Sequence, residues 1–258
     1  YGALYNQNFT TATNVYSTAI GHNAGNDITV GIRNTLIGAL AGDALTDADY
    51  NVAVGMHSLG TDTLGSKSTA VGTDALATQN FTTATDAHNV GVGYSAGSAV
   101  TTGLYNVLIG SLAGDALSTG TRNVAVGMEA LSTEDAHGYN TAIGHGTLKT
   151  LNAGANAYNT AVGFEAGTAV TTGTYNTLIG GLAGDAITTG TENVFVGGQA
   201  GTALIDADHN VAVGKAALYS DTYGSKSTAI GHGVLSTQNF TTATDSYNTG
   251  VGYKAGEA

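Results

Sequence analysis

One five-residue unit, Asn/Ser–Thr/Val–x–Val/Ile–Gly, recurs fourteen times along the 258-residue chain and constrains its fold more than any other feature. The copies begin at Ser17, Asn34, Asn51, Ser68, Asn89, Asn106 and Asn123, and then at Asn140, Asn159, Asn176, Asn193, Asn210, Ser227 and Asn248. Most steps are 17 residues; those leaving Ser68 and Ser227 are 21, and the one leaving Asn140 is 19. Such a period is too short for a helical hairpin. It suits one coil of a β-solenoid, with successive coils about 4.8 Å apart and about fourteen of them roughly 65 Å tall. The predicted fold class is therefore all-β, a parallel β-solenoid, read as a single repeat array over residues 1–258. The pattern is already under way at Tyr1, so the array is expected to be a fragment of a longer protein.

The unit has its own chemistry. Positions two and four are always β-branched, as in Thr18 and Ile20, or Val52 and Val54. Their spacing of two puts both on one face of a strand. Position five is Gly every time, which points to a bend or to a close backbone approach. Position three faces the other way. It holds Ala eight times, Leu at 36, 108 and 178, Phe195, and Gly at 91 and 250. Apolar residues on both faces imply that both are covered. One face fills the coil, and the other is expected to pack against a second chain. The small position-three face, with Leu36, Leu108, Leu178 and Phe195, is assigned to that oligomer contact. The Asn or Ser that opens each unit is read as scaffold, forming a hydrogen-bonded ladder.

Two kinds of coil alternate in pairs. Eight residues after the unit starts, one kind has Gly, and three residues later a branched apolar residue: Ile28, Leu45, Val100, Leu117, Val170, Ile187 or Leu204. The other kind has Leu at the first place (Leu59, Leu76, Leu131, Leu148, Leu218, Leu235). At the second it carries mostly polar residues, namely Asp62, Gln79, Glu134, Asp221 and Gln238, with Leu151 the exception. Each coil thus supplies one large anchor at one of two places.

Charge narrows the partners. With 19 acids against 7 Lys/Arg and a net charge of −12, the chain has no basic patch for nucleic acid or an anionic membrane surface. No apolar run is long enough for a membrane-spanning helix, so membrane insertion is not expected. With no Cys there are no disulfides and no thiolate metal sites.

At this point NTAIGHGT from Asn140 and NVAVGKAA from Asn210 resemble the head repeats of trimeric autotransporter adhesins of the YadA type. ALSTGTRNVAVGMEAL is similar to repeats of bacteriophage tail-fibre proteins. The resemblance covers essentially the whole chain. It implies a left-handed parallel β-roll, three chains packed side by side, and a place outside the cell, on a virion or a bacterial surface. The coils here are longer than the family average, which lengthens the turns.

The motifs that look chemical dissolve into the repeat. GYSAG at Gly93 matches a nucleophile elbow, but the place of Ser95 is taken elsewhere by Asn23, Leu40, Glu165, Gln199 and Lys254. His22, His145 and His232 share a position with Met56, Tyr94, Phe164 and Lys215, which does not suit a metal ligand. Asp47/Asp49 and Asp206/Asp208 lie in matching turns, read as solvated acids rather than Ca²⁺ ligands. Asp43, Asp115 and Asp185 are expected to shape turns through side-chain-to-backbone bonds. QNFTTAT occurs at Gln7, Gln79 and Gln238, the last two in the lengthened coils. It reads as an extruded loop, and Asn8, Phe9, Asn80, Phe81, Asn239 and Phe240 are the candidate surface contacts.

The sequence thus points to a structural segment of an extracellular trimeric fibre. It would be a homotrimer, with a host cell-surface glycan or protein as a further partner. No enzymatic activity, catalytic residue, metal or cofactor is expected. A phage tail fibre is the first reading and an autotransporter adhesin head the alternative. A glycan-degrading solenoid would need paired acids with aromatic subsites. An ice-binding solenoid would need a regular Thr ladder, whereas Thr and Val alternate irregularly at position two.

Overall fold

A computed structural model describes residues 1–257, and these form an all-β parallel solenoid of about fourteen coils of about 17 residues. The chain divides into two compact units, Tyr1–Ala125 and Val126–Ala258. The first contains β1 (Thr18–Ile20), β2 (Thr35–Ile37), β3 (Val52–Val54), β4 (Gly65–Ser66), β5 (Thr69–Val71), β6 (Thr85–Asp86), β7 (Val90–Val92) and β8 (Val107–Ile109). Strand β9 (Val124–Val126) lies at the division. The second unit contains β10 (Thr141–Ile143), β11 (Thr160–Val162), β12 (Thr177–Ile179), β13 (Val194–Val196), β14 (Val211–Val213), β15 (Gly224–Ser225), β16 (Thr228–Ile230), β17 (Thr244–Asp245) and β18 (Thr249–Val251).

Within each unit the unit strands pair in parallel with those of the next coil, like residue on like. Thr35 faces Val52 and Leu36 faces Ala53 in the first; Thr177 faces Val194 and Leu178 faces Phe195 in the second. The lengthened coils add small two-stranded sheets, β4 with β6 and β15 with β17. Each unit strand is only three residues long, shorter than the roughly five typical of strands, and the rest of the coil is a chain of turns. The backbone explains the shortness. The residue before every unit lies in the left-handed region, for example Tyr50 (φ 59°) and Tyr175 (φ 57°), and so does the residue eight positions into it. Strand cannot pass through either place. Non-glycine residues pay about 1–2 kcal/mol there, yet six of the second set are leucines, from Leu59 (φ 49°) to Leu235 (φ 50°). Burial offsets that strain: all but Leu235 are wholly buried.

In most coils the unit Asn is buried and bridges two coils. Its Oδ1 accepts the backbone N–H that opens the next unit, and its Nδ2 donates to a carbonyl 14 residues on, whereas Asn140 gives to the Gly138 carbonyl and the exposed Asn248 to Gln238. Asn34 thus takes the Asn51 amide at 2.9 Å and gives to the Ala48 carbonyl at 2.7 Å. Asn176 takes the Asn193 amide at 3.0 Å and gives to the Gly190 carbonyl at 2.8 Å. The expected ladder is present but runs mainly from side chain to backbone. Direct side-chain steps occur where Asn106 donates to Asn89 (3.3 Å) and Asn193 to Asn176 (3.1 Å).

The unit Gly is fixed by proximity. At Gly180 φ is +137°, and a Cβ would stand 2.5 Å from the carbonyl oxygen of Gly197 in the next coil. Gly180→Ala should therefore lower the melting temperature clearly, whereas Gly181→Ala, where a Cβ meets nothing within 4 Å, should leave it near wild type. Asn176→Ala strands a buried amide and a buried carbonyl. Denaturant unfolding should show a loss of about 2–6 kcal/mol, at roughly 1–3 kcal/mol for each of the two abandoned groups.

Candidate interaction surface

The coil interior is thin, and volume decides which side chains enter it. Position three is the interior position: Leu36, Leu108, Leu178 and Phe195 are all wholly buried within the single chain. The oligomer contact expected of these four is therefore corrected. Each is surrounded by its own solenoid and has no surface to offer another chain. The glycine eight positions into the same coil makes the room. A Cβ on Gly42 would be 2.9 Å from Leu36 Cδ2, and one on Gly201 2.3 Å from Phe195 Cε2. Where that place holds Leu instead, position three shrinks to Ala, as with Ala53 beside Leu59 or Ala212 beside Leu218. The two anchor sets are interior as expected, with Ile28, Leu45, Val100, Leu117, Val170, Ile187 and Leu204 all wholly buried. This exchange of large for small residues is legible in the sequence, and it marks position three as interior. Face alternation alone cannot, because both faces are apolar.

The outward face of each unit's sheet is the β-branched one. In the first unit, Thr18, Thr35, Val52, Thr69, Val90 and Val107 form one row, and Ile20, Ile37, Val54, Val71, Val92 and Ile109 the other. The second unit repeats this, for example Thr160, Thr177, Val194 and Val211 beside Val162, Ile179, Val196 and Val213. No charged residue interrupts these rows. They are half-buried to exposed, with Ile109, Ile143, Ile179 and Ile230 about 40% accessible.

A second ladder lies at the residue before each unit, which the repeat count overlooks because it varies in type. In the first unit Arg33 sits over the Tyr50 ring (5.1 Å), and Tyr105 lies between the His88 ring (5.6 Å) and the Arg122 guanidinium (5.2 Å). In the second, Tyr139, Tyr158 and Tyr175 stack at 5.0 and 5.2 Å. The left-handed backbone turns these long side chains outward, one coil above the next, and the stacked rings cover one another's faces.

The QNFTTAT segments are anchored at their base. Gln79 is buried and its Nε2 donates to Asp62 Oδ2 (2.5 Å) and Ser68 Oγ (3.1 Å), while Asn89 donates to Gln79 Oε1 (2.9 Å). Asp62 Oδ1 takes the amides of Gly65 (3.0 Å) and Phe81 (3.1 Å). The same network recurs around Asp221, with Gln238, Gly224, Phe240 and Ser227. Phe81 is consequently buried, 6% accessible, and leaves the set of surface contacts. Phe9 and Phe240 are half-buried, and Asn8, Asn80 and Asn239 are exposed. What projects is Thr82, Thr83 and Ala84, and their counterparts Thr241, Thr242 and Ala243. Exposed pairs Lys67–Asp86 and Lys226–Asp245 flank these segments; the hydrogen bond to the carboxylate raises each lysine's pKa.

The acidic turns bind neighbouring coils. Asp49 Oδ1 accepts the Ile32 amide (2.8 Å) and Asp208 Oδ1 the Thr191 amide (2.7 Å). Asp43 is different. Burial pushes its carboxyl above the ordinary carboxylate range, its own backbone amide and His57 partly offset this, and Oδ1 has no hydrogen-bond partner. Asp185 accepts from the Thr202 hydroxyl.

No family model, curated protein or solved structure matches this chain.

Two predictions follow from the geometry. Leu36→Ala should cost about 2–5 kcal/mol of stability by leaving a cavity, and Leu36→Asp should unfold its coil rather than release a partner; circular dichroism and denaturant titration check both. Asp43 has a raised folded-state pKa, so the folded chain binds its proton more tightly than the unfolded one. Its favourable contribution is complete below the unfolded value of 3.8 and is lost as pH rises through the folded one. Asp43→Asn should therefore melt above wild type at about pH 7, with the gain gone near pH 3.

Proposed function

We propose that this chain is a structural segment of an extracellular attachment fibre, in which copies associate side by side through the outward β-branched face. The single observation that carries the reading is that face: two rows of Thr, Val and Ile in each unit, uncharged and open to solvent. A parallel sheet is ordinarily covered on both sides, and each side here offers the same small, stiff side chains in the same register. A second copy presents the complement of such a face without any new chemistry. The acidic remainder keeps the other surfaces soluble and resists non-specific association.

Resemblance to tail-fibre and YadA-type repeats favours three chains, a left-handed roll, and a phage fibre ahead of an adhesin head. The work is then mechanical: a stack in which each coil is bonded to the next holds a tip away from a surface. The projecting Thr-Thr-Ala segments around Asn80 and Asn239 are the places for any contact with a host glycan or protein.

Light scattering on a size-exclusion column should give about three times the chain mass of 25.6 kDa. Ile37→Lys with Val54→Lys, on the outward rows, should shift the particle to one chain while its circular dichroism stays that of wild type. A wild-type monomer overturns the reading, and the same face would then be tested for thermal hysteresis.

A further inference from the structure

We propose that Glu134, Asp135 and His137 form a binding site for a divalent transition-metal ion of the zinc class. Glu134 occupies the place that Asp62 and Asp221 hold in their coils. In those coils one carboxylate oxygen takes the amide three residues on, from Gly65 at 3.0 Å or Gly224 at 3.1 Å, and the other takes the Nε2 of Gln79 or Gln238 from the next coil. Glu134 keeps the first half of this arrangement. Its Oε1 accepts the His137 amide at 3.2 Å and lies 3.1 Å from His137 Nδ1.

The second half is missing. In the next coil the place of Gln79 and Gln238 is taken by Leu151, which is wholly buried and has nothing to donate. Glu134 is likewise wholly buried, and its Oε2 has no hydrogen-bond partner. A buried carboxylate oxygen is costly unless a cation or a donor meets it.

The surroundings suit a cation. One ligand atom from each of Glu134, Asp135 and His137 lies within 4.8 Å of the others. Small side-chain rotations bring such a triangle onto one ion at bond lengths of about 2.0–2.2 Å. Two carboxylates and a neutral imidazole balance a charge of +2, and the imidazole nitrogen favours zinc-class ions over Ca²⁺ or Mg²⁺. Asp135 is exposed and His137 half-buried, which gives the ion a path from solvent to Glu134 at the base. The turn is braced beside the histidine, where the Gly138 amide donates to Asn156 Oδ1 at 3.1 Å.

Zn²⁺ titrated calorimetrically into the untagged chain should show one saturable site per chain, with Ca²⁺ far weaker. Glu134→Gln and His137→Ala should each reduce the affinity about tenfold or more. Asp135→Asn, at an exposed position that leaves the fold alone, should weaken it measurably; melting curves confirm that each variant is folded. No saturable binding by wild type overturns the proposal, as does unchanged affinity and stoichiometry in both His137→Ala and Asp135→Asn.

Discussion

Most coils are held to the next by a buried asparagine side chain, and the rest of the structure depends on that bridge. The amide group of Asn has one acceptor and one two-proton donor, and here both ends are used on the neighbouring coil's backbone. Asn51 shows the full pattern: Oδ1 takes the Ser68 amide at 2.9 Å and Nδ2 gives to the Gly65 carbonyl at 2.8 Å. A coil with only three residues of strand has few ladder bonds of its own. The asparagine adds a second point of attachment beyond the strand, where the backbone has already turned. A residue in the left-handed region precedes each asparagine.

Volume is the second constraint, and it acts between coils as well as within them. The interior accommodates one large side chain in the second half of each coil and a small or large one at position three. The glycines mark where a neighbour intrudes: a Cβ on Gly97 would meet Leu108 Cδ1 at 2.6 Å and Leu76 Cδ2 at 2.9 Å, residues of the following and preceding coils. Fidelity of the stretches around Leu36, Leu108 and Leu178 thus serves packing inside the chain. Asp62, Gln79 and Asn89 enter this interior as a closed network, because an unmatched buried group is expensive. Glu134 departs from that rule in one atom, and that departure is what distinguishes its turn from the sister turns.

The surfaces follow from what the interior excludes. Once position three points inward, positions two and four must point outward, and the chain exposes a regular apolar face. The residue before each unit cannot join a strand, so it projects, and successive copies stack into a ladder of rings and cations. Neither surface is a cleft. Both repeat from coil to coil within each unit, and the proposed association draws on the β-branched one.

The repeat alone determined the all-β parallel solenoid, the coil length, the scaffold role of the asparagines and the two alternating anchors. Those are local or periodic properties: β-branched residues at a spacing of two, invariant Gly, and one large residue per coil. Three things came from the tertiary structure, although the first left a trace in the sequence as the exchange of Leu for Ala at position three. Both faces of the unit strand are apolar, so hydrophobicity could not orient it; the size of the cavity beside Gly42 or Gly201 put Leu36 and Phe195 inside. Phe81 reads as a loop residue, but its amide is tied to Asp62 from the preceding coil, a contact between residues 19 apart in sequence that no local pattern contains. The environment of Glu134 depends on Leu151 of the next coil. A carboxylate's character is set by the partner that stacking places above it, and the stacking register exists only once the coils are formed.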